Sequence, residues 1–146
     1  MFRQNLSLWQ NLKGTSMKSK FVVLLVDDDD AVRLLAQRIL RAEGHVVVET
    51  YNGEHAFEQV VANSLRPDIV VTDLDMPHLD GIALMQRIRD HTDPLLKNVP
   101  ILVTSGDITQ ERQEKIAELG GHILKKPFGR EDLLEAVRKL PTPKQE

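Results

Sequence analysis

In four places the chain sets oxygen-rich or cationic side chains at the end of a short apolar run. Asp27, Asp28, Asp29 and Asp30 follow Phe21–Val26, and Asp73 comes shortly after Ile69, Val70 and Val71. Thr104 and Ser105 follow Ile101–Val103, and Lys126 comes just past Ile123 and Leu124. Carboxylates gathered in one place repel one another and raise each other's pKa unless a cation sits among them. Mg²⁺ suits such a set, because it takes hard oxygen ligands, keeps several waters, and is held by one or two carboxylates plus a phosphate oxygen. An ionised aspartate can also act as a nucleophile and form an aspartyl-phosphate. Phosphoryl transfer asks a protein mainly for positioning and charge neutralisation. A lysine supplies a point charge for a phosphoryl oxygen, and a threonine hydroxyl can turn to bond another. These residue types fit Mg²⁺-assisted phosphorylation of an aspartate.

Such groups can meet only if the apolar runs are neighbouring strands. The runs at 21–26, 46–48, 69–71, 101–103 and 123–124 are rich in Val and Ile and barely alternate. That is the pattern of parallel strands covered on both faces. Between them lie helical stretches. Over 32–40 the stripe Val32, Leu35, Ala36, Ile39, Leu40 predicts a core-facing helix, stopped by Gly44. Residues 53–63, 82–90, 108–119 and 130–140 are the other helices, with Ala56, Phe57 and Val60, then Ile82, Met85 and Ile88, then Ile116 and Leu119, then Leu133, Leu134, Val137 and Leu140 turned inward. Strand followed by helix, five times over, predicts right-handed crossovers and a doubly wound α/β domain with five helices. In such sheets ligands bind beyond the carboxyl ends of the strands, where strand order reverses. The four polar clusters fall at those ends.

The 146 residues suffice for one compact domain. There is no cysteine, which excludes disulfides, thiolate metal sites and a cysteine nucleophile. No apolar run is long enough to span a bilayer, and the N-terminus lacks the apolar core of a signal peptide, so the expected location is the cytoplasm. Net charge is −3 but uneven: residues 1–20 carry +4, through Arg3, Lys13, Lys18 and Lys20, and the rest carries −7. The shift divides the chain into a basic, flexible extension over 1–20, a domain over 21–140 and a short tail over 141–146. An acidic body argues against nucleic-acid binding. Phe2, Leu6, Trp9 and Leu12 could form one weak amphipathic face, too thin a basis for membrane contact. An alternative start at Met17 is compatible with the charge shift. The tail PTPKQE leaves no room for an effector domain.

The strings VDDDD at 26–30, DIVVTDLDMPHLDG at 68–81, VTSG at 103–106 and KPF at 126–128, in that order, resemble the response-regulator receiver family, whose simplest members include the chemotaxis response regulator. The likeness runs from about Phe21 to Leu140. It implies a flavodoxin-like sheet of strand order 2-1-3-4-5, an order carried over from the family and not read from spacing. It implies that Asp73 is the phosphoacceptor, that Asp28 binds Mg²⁺ directly, that Asp27 acts through water, and that the Asp75 backbone carbonyl completes the metal site. Thr104, with Ser105 beside it, matches the switch hydroxyl and Lys126 the phosphate-contacting lysine. A cis Lys126–Pro127 bond is also implied. Met76, Pro77 and Gly81 match the loop that leads into the third helix. The chain departs from the family at Ile123, where the output gate is usually Tyr or Phe. It departs also at Gly106, which offers no side chain to guide a hydrolytic water, and in a shortened loop at Gly120, Gly121 and His122.

The resemblance implies phosphate taken from a histidine kinase or histidine phosphotransfer protein, and a changed affinity for an output protein. The protein would act as a monomer or a phosphorylation-dependent dimer, through the surface formed by residues 108–119, the last strand and the last helix, without nucleic acid or membrane. It would assist only its own phosphorylation and dephosphorylation. One alternative is a haloacid-dehalogenase-like phosphatase using Asp73 and Asp75, disfavoured because its DxD ends the first strand. Another is an adaptor independent of phosphorylation. Blander roles remain for single residues: Asp29 or Asp30 as a helix N-cap, the acidic run as a solvated loop, Thr104 as a turn residue, and the five histidines as surface residues.

Overall fold

The computed structural model describes residues 20–141. Most of the basic extension, its amphipathic face and nearly all of the C-terminal tail lie outside the described residues. Five parallel strands form one sheet: β1 Val22–Val26, β2 Val46–Thr50, β3 Ile69–Asp73, β4 Ile101–Ser105 and β5 Gly121–Lys125, in the order β2-β1-β3-β4-β5. The helices are α1 Asp30–Ala42, α2 Gly53–Val61, α3 Gly81–Arg89, α4 Pro94–Lys97, α5 Gln110–Glu118 and α6 Arg130–Arg138. The order reverses between β1 and β3, so the crevice at that reversal opens beside the ends of both strands.

Two cores flank the sheet. Ala36, Ile39 and Leu40 of α1 and Leu133, Leu134 and Val137 of α6 close over Val23, Leu25, Val71 and Leu102. On the other face α2, α3, α4 and α5 contribute Val60, Leu84, Met85, Ile88, Leu96 and Ile116 over Leu24, Val26, Val70 and Val103. Alternate residues of β1 thus enter opposite cores, and so the strand reads as a continuous apolar run.

Three expectations are corrected. There are six helices among the described residues and not five: α4 is a single turn, capped by Asp93, begun by Pro94 and anchored by buried Leu96. Leu35 does not face the core, and its side chain is 45% exposed. It lies about 90° around α1 from the centre of the buried stripe, too far to reach the sheet. The strands run past their apolar runs into Thr50, Asp73 and Ser105, because ladder pairing does not need an apolar side chain. The N-cap of α1 is Asp29, whose carboxylate accepts from the Ala31 and Val32 amides. Gly44, at φ +96°, ends that helix in a conformation that side chains resist.

Gly81 begins α3 against the end of β3. A Cβ there would lie 2.6 Å from the Asp73 carbonyl oxygen and 2.9 Å from Leu74 Cα, both fixed backbone. At Gly106 the nearest atom would be Lys126 Cβ at 3.9 Å, an ordinary contact. Gly81→Ala is therefore expected to cost about 1–3 kcal/mol in urea denaturation, and Gly106→Ala to stay within about 0.5 kcal/mol of the parent.

Candidate functional site

The carboxyl ends of β1, β3 and β4 and the turn after β5 build one acidic rim. β1 delivers Asp27, whose amide donates to the Thr50 carbonyl of β2 at 3.1 Å, and the turn beyond it carries Asp28. β3 ends on Asp73, which pairs in register with Thr104 of β4. Adjacent strands lie about 4.8 Å apart, so Thr104 stands directly beside Asp73. Lys126 follows β5 and reaches back across β4. Its Nζ donates to Asp73 Oδ1 at 3.1 Å and ion-pairs with Asp27 Oδ2 at 3.2 Å. The Lys126–Pro127 peptide is cis, as the resemblance implies.

Asp27 and Asp73 are 3% and 5% exposed, and carboxylate oxygens of Asp27, Asp28 and Asp73 lie within 4.8 Å of one another. Burial raises the Asp73 carboxyl to about 6, and the neighbouring Asp27 charge adds to the rise although Lys126 opposes it. Burial likewise raises Asp27, against the pull of the Asp29 amide and of Lys126. Burial alone would lower the Lys126 ammonium, but the charges of Asp27 and Asp73 outweigh it and hold its pKa above the ordinary value. Three carboxylates facing one ammonium leave a surplus of negative charge in a mostly dry pocket. Hard oxygens with uncompensated charge are the donor set of a small divalent cation, so the residues present fit Mg²⁺.

The remaining residues of interest are placed as follows. Asp28 is exposed on the open side of the cluster, and Thr104 is buried at the strand end. The Ser105 hydroxyl turns to its own loop, accepting from the Asp107 amide at 3.1 Å and donating to the Asp107 carbonyl at 3.2 Å. Ile123 is half-buried and packs on the core under α5. The Asp75 side chain leaves the carboxylate cluster and pairs with Arg112. His78 lies in the β3–α3 loop at φ 70°.

Sequence reasoning missed two arginines. Arg33 donates from Nη1 to the Asp27 carbonyl at 2.7 Å and from Nη2 to Asp30 at 2.7 Å, and its Nε is 3.5 Å from Glu49. It binds the acidic turn to α1 and β2, and its spacing from Asp30 was a readable helical pair. Arg112 joins Asp75 across 37 residues, a link with no local signal.

The model of the response regulator receiver domain matches residues 23–138. The chain belongs to that family. Receiver domains are phospho-accepting modules of two-component signalling systems. The chain is 38% identical over 119 residues to response regulator MprA of Mycobacterium ulcerans, a match covering 81% of this chain and 49% of that protein. It is 33% identical over 121 residues to a 3',5'-cyclic-nucleotide phosphodiesterase, regA, of Dictyostelium discoideum, covering 82% of this chain and 15% of that one. The chain thus spans half or less of the length of these relatives. Among solved structures, chemotaxis response regulator CheY4 of Vibrio cholerae superposes with a TM-score of 0.74 at 26% identity, over 83% of this receiver and 98% of CheY4. A response regulator receiver protein from Pseudomonas putida gives 0.73 at 28%, over 84% and 99%. No helix among the described residues of the receiver is long and apolar enough to cross a membrane.

The raised pKa of Asp73 sets a sign for stability. Between its ordinary value of 3.8 and about 6 the folded receiver keeps a proton that the unfolded chain has lost, so stability falls as pH rises through that window. Above it the ionised carboxylate costs about 1–3 kcal/mol when no divalent cation is present. Asp73→Asn removes that cost. In EDTA the variant should be more stable than wild type by this amount at pH 7.5, and the gain should shrink towards pH 4. Equal stability at both pH values would show that Asp73 is not under charge strain.

Proposed function

We propose that Asp73 is the phosphoacceptor of this receiver, and that Mg²⁺ held by Asp28, Asp73 and the Asp75 backbone carbonyl, with Asp27 acting through water, supports the transfer. The observation that carries the reading is the paired grip of Lys126 on two buried carboxylates beside Thr104. Asp27 Oδ1 already accepts from the Asp29 amide, and Oδ2 pairs with Lys126, an arrangement suited to a role through water. Asp28, exposed on the rim, is open to a direct ligand role.

A carboxylate oxygen of Asp73 attacks phosphorus of a phosphohistidine. The new O–P bond forms as the P–N bond breaks, and the departing imidazole leaves on the donor protein. Lys126 then meets a phosphoryl oxygen in place of a bare carboxylate, and the Thr104 hydroxyl donates to another. Bound Mg²⁺ supplies charge neutralisation on the phosphoryl oxygens. The donor is a histidine kinase or a histidine phosphotransfer protein, and phosphorylation shifts the population of conformers that an output protein distinguishes. The domain occupies residues 21–140 of a cytoplasmic protein, assists only its own phosphorylation and dephosphorylation, and works as a monomer or phosphorylation-dependent dimer without nucleic acid or membrane. The output surface comprises α5, β5 and α6, with Ile123 at the gate position. The phosphatase alternative needs the second Asp of the DxD at the reacting centre, and Asp75 is held by Arg112 instead.

Incubation with Mg²⁺ and acetyl phosphate should add one phosphoryl group to the intact mass. The adduct should be absent in Asp73→Asn and suppressed by EDTA. An adduct of equal size in the variant would move the acceptor elsewhere. Steady turnover of a generic phosphomonoester would favour the phosphatase.

A further inference from the structure

Arg112, in the first turn of α5, ties together the two loops that border Asp73. Its Nη1 donates to the Asp107 carbonyl, in the β4–α5 loop, at 2.9 Å. Its Nη2 pairs with Asp75 Oδ1 in the β3–α3 loop. Asp75 lies two residues past Asp73, and Asp107 lies three past Thr104. The same Asp107 carbonyl also accepts from the Ser105 hydroxyl, at 3.2 Å. Ser105, the neighbour of Thr104, is thus linked through the Asp107 carbonyl to Arg112.

We infer that the Arg112–Asp75 ion pair is a latch that holds the β4–α5 loop in the unphosphorylated position and is released when Asp73 is phosphorylated, an inference that rests on the reading of the site given above. Three observations support it. The pair ties the acceptor loop to the first turn of α5, where Arg112 also holds the Asp107 carbonyl of the loop behind the switch hydroxyl, and no other side-chain ion pair among the described residues reaches the acceptor loop. Ile123 is aliphatic and half-buried against the core, so it offers no ring to swing between two poses. The two side chains are 26% and 56% exposed, which makes the pair weak enough for a reversible switch to break. A latch of this kind shifts an existing equilibrium only by the difference in its own stability between the two states.

Beryllofluoride, a mimic of the phosphoryl group, reads the equilibrium without hydrolysis. Its dissociation constant in saturating Mg²⁺ would be measured for wild type, Arg112→Gln, Asp75→Asn and the double variant. A latch resists the phosphorylated state, so both single variants should bind about two- to five-fold more tightly, the range set by a partly exposed ion pair. The double variant should gain no more than either single one, because one interaction is removed once. Amide exchange over residues 105–109 should quicken in the unliganded single variants. Simple charge effects predict opposite signs for the two variants: loss of the Arg112 cation weakens anion binding and loss of the Asp75 anion strengthens it. Opposite signs, additive effects or unchanged affinities would overturn the latch while leaving the reading of the site intact. Failure of wild type to bind beryllofluoride at all would overturn that reading and the latch with it.

Discussion

Two buried carboxylates held by one lysine are the constraint on which the site depends. Asp27 and Asp73 come from different strands, yet both reach Lys126 Nζ within about one hydrogen-bond length. An unpaired ionised carboxylate in so dry a place would protonate instead. The lysine compensates part of the charge, but burial, with the Asp27 charge adding to it, keeps the Asp73 carboxyl near 6. A group in that condition has something to gain from a cation and, with the cation present, from receiving a phosphoryl group whose oxygens the lysine and the cation can share. The strain at the strand ends and the chemistry proposed for them have one origin.

The sheet makes this juxtaposition cheap in backbone terms. Placing β1 next to β3 brings Val26 into register with Thr72, so the residues immediately beyond meet at one crevice. β4 pairs Thr104 with Asp73, and β5 pairs Leu124 with Thr104, which puts the lysine just beyond the hydroxyl. Asp27, Asp73 and Thr104 are then fixed at the ends of strands whose side chains alternate between the two cores. Asp28, Asp75 and His78 sit exposed in loops, and Lys126 lies just past the end of β5.

The architecture was legible because its signals were local. Unbroken Val and Ile runs announced buried parallel strands, and the polar residue after each run announced the rim. The cap on α4 was equally local, an Asp-Pro pair, but a single turn has too few apolar positions to show a period, and only Leu96 marks it as packed. Leu35 was misplaced because a stripe of Leu, Ala and Ile on a helix is wider than the strip of sheet available to cover it. Strand order was not legible from spacing, since it depends on which crossovers pack. Arg112 was invisible for a related reason: its partners Asp75 and Asp107 belong to loops that the fold brings together and the sequence keeps apart.

If the rim carries negative charge that a divalent cation relieves, Mg²⁺ must stabilise the folded receiver. Thermal unfolding at pH 7.5, with Mg²⁺ raised against NaCl of matched ionic strength, tests it for wild type and for Asp73→Asn. Specific binding to the folded state predicts a midpoint that climbs with the logarithm of Mg²⁺ concentration once the site is filling. The climb should be markedly smaller in the variant, which has lost one carboxylate of the cluster. No rise in wild type beyond that of NaCl, or an equal rise in both proteins, would mean that no divalent cation relieves charge at Asp73.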